Sequence, residues 1–421
     1  MPTYTQMKDS GVAWLGDIPT EWQMLRIGQL FSQRNEKVSD KDFEPLSVTK
    51  KGIVPQLENA AKTDNGDNRK KVLKGDYVIN SRSDRKGSSG LSRLDGSVSL
   101  INTVLAESKL HPRFAHHLLR SYPFQEEFYR WGQGIVADLW STNYQRMKSI
   151  QLPVPDYETQ ERIANYLDEE TALIDDLIAK QQRLLALLEE KRRATITHAV
   201  TRGLNPSVDL KETNIPWLGQ IPAHWGVKRV KDISEVVLGK MVQNEQKNES
   251  EIAKPYLKSR NIQWDGLDLS SVDEMWFKPK ELESYKLQDD DIVVSEGGDV
   301  GKCVMWKEKF GEMYFQNSVN RIRVLTGVPK YVFYVFQHYA LNQVFANTVN
   351  KVSIAHLTKD KIVAYHMPTP DVGEQRAVVA YLDNENAKFR ELKVKVLDQI
   401  SLLKERRTSL ISHAVTGKIK V

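Results

Sequence analysis

At 421 residues and 40% hydrophobic content, the chain is long enough for two or three domains and apolar enough to bury real cores, which excludes a disordered protein. A single cysteine, Cys303, excludes a disulfide framework and any cysteine-based zinc site, and fits a reducing cytosol. The formal charge of +5 and pI near 8.9 permit nucleic acid as a partner without demanding it, so local clusters of charge must carry the functional reading.

Met1 to Asp17 has no apolar core flanked by positive charge. No run approaches the roughly 20 apolar residues of a membrane span, so a cytoplasmic protein without a membrane partner is expected. The first motif is Trp14-Leu15-Gly16-Asp17-Ile18-Pro19-Thr20-Glu21-Trp22. Beyond it, strand-like runs such as Asp76-Tyr77-Val78-Ile79-Asn80 alternate with turn clusters, and a helical patch covers residues 114–129. Basic residues gather at Lys50 and Lys51, at Arg69, Lys70 and Lys71, and in the loop 81–90, which holds Arg82, Arg85, Lys86 and Ser88. Arginine and lysine pair phosphates or guanine edges, and serine and glycine amides fit close to a nucleic-acid backbone. A single loop of this kind is ordinarily a solvated surface, so what matters is whether it recurs.

Pro153-Val154-Pro155-Asp156 imposes an extended lead-in, after which residues 157–202 contain no proline or glycine and are rich in strong helix formers. One continuous helix of about 65 to 70 Å is expected. Leu167, Ile174 and Leu188 mark its apolar stripe, with Leu177, Leu184 and Leu187 beside them. It ends at His198-Ala199-Val200-Thr201, where Gly203 can supply a left-handed stop. A histidine in a last turn reads as a cap or an interhelical hydrogen bonder rather than a catalyst.

The chain then repeats itself. Trp217-Leu218-Gly219-Gln220-Ile221-Pro222-Ala223-His224-Trp225 restates the first motif with a displacement of 203, from Trp14 to Trp217. A second mixed stretch follows, with a strand-like Asp291-Ile292-Val293-Val294-Ser295 and a helical patch at 331–344. Its candidate DNA-contacting residues are Lys258, Arg260 and Asn261, Lys302 in the loop 295–302, and Gln316, Asn317, Asn320, Arg321 and Arg323. Asn, Gln and Arg are the side chains that make bidentate base contacts, and loops at matching places in both copies raise the case for DNA. Pro368-Thr369-Pro370-Asp371 leads into a second helix, where Leu382, Phe389, Val396, Leu403 and Leu410 recur every seventh residue, with Leu392 and Ile400 widening the stripe. It ends at His413-Ala414-Val415-Thr416, a displacement of 215 from His198 to His413. A period this long is too large for a solenoid, so each unit is a domain plus a helix. The simplest partner for each helix is the other, packed antiparallel about an internal two-fold axis.

Enzymatic motifs fail. Gly297 to Gly301 leaves three residues between the glycines where a phosphate loop needs four, and Cys303 stands in place of the Ser or Thr that holds magnesium. Asp371 with Glu391 and Lys393 resembles a nuclease set, but Asp176 and Ile178 replace the last two in the other copy. No cofactor loop, nucleophile elbow or paired histidine spacing occurs, so no catalysis, cofactor or metal is expected.

The Trp-Leu-Gly-x-Ile-Pro-x-x-Trp motif, the Pro-x-Pro-Asp lead-in with Gln160 and Gln375, the Tyr-Leu-Asp step at 166–168 and 381–383, and the His-Ala-Val-Thr ending resemble the specificity subunit of Type I restriction–modification systems. The resemblance covers essentially the whole chain. It implies an α+β fold of two mixed α/β target recognition domains, at 1–152 and 204–367, joined by long helices at 153–203 and 368–421 packed as an antiparallel coiled coil with pseudo-two-fold symmetry. Each domain would read one half of a bipartite double-stranded DNA sequence. Two methyltransferase subunits would dock on the repeated segments, and restriction subunits would join the full complex. A coiled-coil scaffold that never touches DNA is the competing reading, but it gives no reason for divergent inserts with matched polar loops. A modification enzyme carrying its own recognition domains would need a catalytic segment that is missing.

Overall fold

The computed structural model describes residues 3–58, 66–134, 140–297, 299–348 and 356–421. The chain forms two compact units, Met1–Gln182 with Leu397–Val421, and Arg183–Val396. Each unit contains one insert domain and part of both long helices, Tyr157–Arg202 of 46 residues and Val372–Val415 of 44 residues.

The two units repeat one sheet topology. In the first, the antiparallel order is Ser89–Leu91, Tyr77–Asn80, Asn102–Ala106, Ser32–Gln33. In the second it is Cys303–Met305, Ile292–Ser295, Val319–Val324, Ser234–Leu238. Tyr77–Asn80 and Ile292–Ser295 are buried at every residue, which is why both read as short continuous apolar runs rather than alternating ones. A smaller three-stranded sheet flanks each. At the base of each insert, Gln23–Arg26 pairs with Gln151–Val154, and Gly226–Arg229 with His366–Thr369, so the chain returns to its starting point before the long helix begins.

The repeated motifs mark the joints. Asp156 Oδ1 accepts from the Thr159 amide at 2.9 Å and Asp371 Oδ1 from the Glu374 amide at 2.9 Å, capping the two long helices. Gln160 Oε1 accepts from the amide of His111 while its Nε2 donates to the Pro155 carbonyl, both at 2.8 Å; Gln375 bridges Val328 and Pro370 at the same distances. His111 and Val328 each precede a helix, Pro112–Arg120 and Pro329–Leu341, so one glutamine staples the domain's helix to the long helix. In the Tyr-Leu-Asp steps, Leu167 and Leu382 are buried, whereas Asp168 pairs with Arg113 and Asp383 with Lys330, both at 2.7 Å.

The tryptophan motifs close the opposite helix ends. Gly203 has φ +75°, and a Cβ there would meet Trp225 at 3.1 Å; Gly417, at φ +72°, would meet Trp22 at 3.3 Å and Pro19 closer still. The first motif thus receives the end of the second long helix, and the second motif receives the end of the first.

The long helices pair antiparallel. In the first unit Ala414 and Val415, at the end of one, share a core with Ile163, Ala164, Leu167 and Ile174 near the start of the other. In the second unit Lys393 meets Glu189 at 3.1 Å and Asn386 meets Arg192 at 2.8 Å, one index falling as the other rises. Leu382, Phe389, Val396, Ile400 and Leu410 are buried, Leu188 and Leu403 half-buried. Leu177, Leu184, Leu187 and Leu392 correct the expected width of the stripe, being 45, 41, 49 and 45% exposed. At 100° per residue, Leu177 and Leu184 lie roughly 80 to 100° around the helix from Leu167, beyond the reach of a single partner helix.

Candidate nucleic-acid interface

In the first unit the loop leaving the central strand is built to display cations. Asn80 Oδ1 accepts from the Arg82 amide at 3.1 Å, and a 3-10 turn spans Ser83–Arg85. Arg82 and Arg85 are exposed, and Arg85 pairs with Asp84 at 3.4 Å, an exposed pair of little energetic weight. Lys86 pairs with Glu126 and lies 5.6 Å over the Tyr129 ring. Lys50 and Lys51 are exposed at the tip of the hairpin Leu46–Thr49 and Gly52–Pro55. A Cβ on Gly90 would stand 3.0 Å from Gly52, so the hairpin packs on the edge strand that follows the arginine loop. These five cations therefore share one region.

Burial takes Arg69 and Ser88 from the surface, and internal partners engage the half-buried Lys70 and Lys71. Arg69 is buried, donating from Nε to Ser97 Oγ at 2.8 Å, and desolvation lowers its pKa. Lys70 donates to the Asn102 carbonyl at 2.7 Å and is lowered for the same reason. Lys71 pairs with Glu36 at 2.9 Å and lies 4.9 Å over Phe43, and Ser88 is buried in the strand turn. The basic run 69–71 belongs to a strand, Arg69–Val72, whose charges serve the fold.

The second unit shows the same division. Asn261 is buried, its Oδ1 accepting from the Lys258 amide at 2.9 Å and its Nδ2 donating to the Asp268 and Ser271 carbonyls, so it shapes the turn that presents Arg260. Asn320 is buried and donates to Leu357 O at 3.2 Å. Arg321 is buried beneath the sheet, bound to Glu235 and the Ser284 carbonyl, and desolvation lowers its pKa. Arg323 grips Asp291 through two bonds, of 2.8 and 2.7 Å, which raise its pKa. Asn261, Asn320 and Arg321 are corrections to the surface expected for them, because interior charges and amides require fixed partners, whereas Arg323 is half-buried and held by Asp291.

Arg260, Lys302, Gln316 and Asn317 remain at the surface or partly so, with Lys258 held by Asp273 over the Tyr256 ring. Three loops carry them, and Ser318 knits these together. Its Oγ accepts from the Ser259 amide at 3.1 Å, and its carbonyl accepts from Ser259 Oγ at 2.6 Å and from the Glu296 amide at 2.9 Å. Lys302 pairs with Asp299 at 2.6 Å, donates to Gln263 at 3.3 Å and lies 5.9 Å from the Trp264 ring. Gly298, within the same loop, lies outside the described residues. Sequence reasoning missed Trp264, which is exposed at the hairpin turn Trp264-Asp265-Gly266; a tryptophan inside a polar turn was the available signal.

Among the described residues, no cluster of His, Cys, Asp and Glu could hold a metal ion, and no helix is long and apolar enough to cross a membrane. Cys303 is buried, and desolvation pushes its thiol up to about 12.

Comparison with known proteins agrees with this architecture. The family described as "Type I restriction modification DNA specificity domain" matches residues 222–402. The chain is 20% identical to the Type I restriction enzyme MjaVIII specificity subunit of Methanocaldococcus jannaschii, over 96% of this chain and 94% of that one. It is 21% identical to the EcoKI specificity subunit of Escherichia coli, over 64% of this chain and 58% of that one. Its fold is similar to a chain solved in work on assembly and conformational transition of the type I R-M system, with TM-score 0.72, 15% identity and coverage of 94% of this chain and 98% of that one. The HsdS subunit from Thermoanaerobacter tengcongensis gives TM-score 0.54 at 16% identity, covering 95% and 98%. The family's pattern thus lies on the second half of the chain, a Type I specificity subunit is similar to it nearly end to end, and its fold is like that of chains solved from type I R-M systems.

Proposed function

We propose that the chain reads a bipartite double-stranded DNA sequence, one half-site for each recognition domain, 1–152 and 204–367, with the long helices at 153–203 and 368–421 setting the gap. The observation that carries this reading is one sheet topology used twice, each time displaying a different set of cations and amides from the loop after its central strand. Phosphate contacts hold register and base-edge contacts discriminate, so a constant frame with divergent loops suits two readers of different sequences. Two readers on one frame also bind as a bivalent ligand, with affinity exceeding either alone by about 10² to 10⁴ when the spacing fits. The chain supplies recognition and no chemistry, acts in the cytoplasm, and recruits two methyltransferase subunits, which restriction subunits join. Leu173 and Leu177 in the first unit, and Leu184 and Leu187 in the second, are apolar and exposed on the first long helix, and suit a docked protein partner.

Charge reversal at Arg82 and Arg85 tests the division of labour. Sequencing modified bases in DNA from cells that express the chain with its cognate methyltransferase should show the first half-site lost or relaxed and the second unchanged. A variant that methylates the same two-part site at the same rate would contradict the assignment of that loop.

A further inference from the structure

Of the nine tryptophans, all within the described residues, Trp264 alone is exposed, at 45%; the others are buried or half-buried. It sits with Asp265 at the tip of a hairpin in which Ile262 pairs with Leu267 and Gln263 with Gly266. The stem is anchored, because Ile262 is fully buried and the Asp268 amide donates to the Asn261 carbonyl at 2.8 Å. The tip is held as well. Gln263 donates to the Arg260 carbonyl at 2.6 Å and accepts from Lys302 Nζ at 3.3 Å, and the same ammonium stands 5.9 Å over the indole ring. The hairpin therefore joins the turn that presents Arg260 to the loop after the central strand. Each acid beside it has its own lysine, Asp265 meeting Lys393 at 3.4 Å and Asp299 meeting Lys302 at 2.6 Å.

A single apolar residue at the surface is ordinary, but a tryptophan held in place among polar reading loops is the type of side chain that anchors interfaces. The chemistry of the ring narrows what meets it. An aromatic face carries negative charge density, so it repels phosphate and takes cations or apolar groups. Lys302 already stands over one face, so the ring cannot be wedged between two base pairs, which would need both. The apolar group that base edges offer in the major groove is the 5-methyl of thymine, and apolar side chains, phenylalanine among them, pack against it.

We propose that Trp264 is a specificity-determining residue of the second half-site, its free indole face packing against the 5-methyl group of a thymine in the major groove. The proposal rests on the DNA-reading role argued above for the second domain.

The full-length chain, in complex with its cognate methyltransferase subunits, is offered a double-stranded DNA library randomised across both half-sites and the gap, and the methylated products are sequenced. Wild type should require thymine, on either strand, at one or more positions of the second half-site. Each such thymine is then replaced singly by deoxyuridine, which keeps the base pairing and lacks only the methyl group. At one position methylation should slow about fourfold, the effect of losing one buried methyl. Trp264→Ala should relax selection at that position alone and be indifferent to deoxyuridine there. Trp264→Phe, with a smaller ring, should keep an intermediate preference, and it decides the matter if the alanine variant fails to fold. A second half-site without thymine, or thymines that can all be replaced without effect, would overturn the proposal. So would Trp264 variants with the wild-type profile. Equal loss of methylation on every sequence, or loss of the methyltransferase subunits on gel filtration, would make Trp264 a hairpin anchor or a protein contact and overturn it too. A wild-type complex that selects no two-part site overturns the DNA-reading role itself, and this proposal with it.

Discussion

His338 shows how burial governs a single residue in this molecule. It lies on Pro329–Leu341, buried, with Nδ1 2.8 Å from Asn342 Nδ2 and 3.0 Å from Thr197 Oγ1 on the first long helix. An amide nitrogen can only donate, so Nδ1 accepts and the ring is held neutral. Desolvation lowers the imidazole from its ordinary 6.5 to about 4. The folded value lies below the unfolded one, so the unfolded chain binds the extra proton first. The stabilisation is complete above about 6.5 and is lost as pH falls toward 4, a change of roughly 3 kcal/mol. His116 in the first unit, pushed to about 3 by desolvation, has the same sign and extends the loss to lower pH. Urea unfolding across this range should therefore show stability falling with acidification, and His338→Gln, which retains an acceptor toward Asn342, should reduce the slope between pH 6.5 and 4. A slope unchanged in that variant would place the acid sensitivity elsewhere. Arg321 and Arg69 follow the same logic of burial, and for that reason they serve the fold.

Between elements, the repeated motifs act as fasteners. Gln375 satisfies the Val328 amide at the start of a domain helix and the Pro370 carbonyl ahead of the long helix, so replacing it leaves two enclosed backbone groups unpaired. Gln375→Ala should cost about 2 to 3 kcal/mol in urea unfolding, and Gln375→Glu, which keeps the acceptor but not the donor, should cost less. Equal losses would show that packing, not hydrogen bonding, makes the joint. The long helices, their caps and their seam were legible in sequence because heptads, prolines and capping residues act over a few positions. The seam's width was not legible, since whether Leu177 or Leu184 is covered depends on how many helices surround it. Basic clusters were the least legible feature. Arg82 and Arg69 look alike in a string, yet one opens a 3-10 turn just past a strand end and the other lies within a strand against Ser97.

For the whole molecule, the repeats divide labour between a frame and its readers. Both displacements, 203 for the tryptophan motif and 215 for the helix ending, belong to the frame, and their difference falls in the inserts, where the loops diverge. If the frame sets the gap between half-sites, lengthening both helices together must change the gap and nothing else. Seven residues added to each, at facing positions of the antiparallel pair, preserve the apolar seam because the seam repeats every seven. They lengthen the pair by about 10 Å, and with base pairs about 3.4 Å apart the tolerated gap should grow by up to about 3 base pairs. The faces that the two readers present would rotate little, because seven residues are close to two helical turns, whereas about 3 base pairs turn the duplex by roughly a quarter turn or more. The lengthened protein should therefore bind more weakly at its new gap, with both half-sites preserved. Adding seven residues to one helix alone breaks the register of pairs such as Lys393 with Glu189 and Arg192 with Asn386, and should lower stability without defining a new gap. Methylation profiles separate these outcomes, and altered half-sites with an unchanged gap would show that the helices do not measure the DNA.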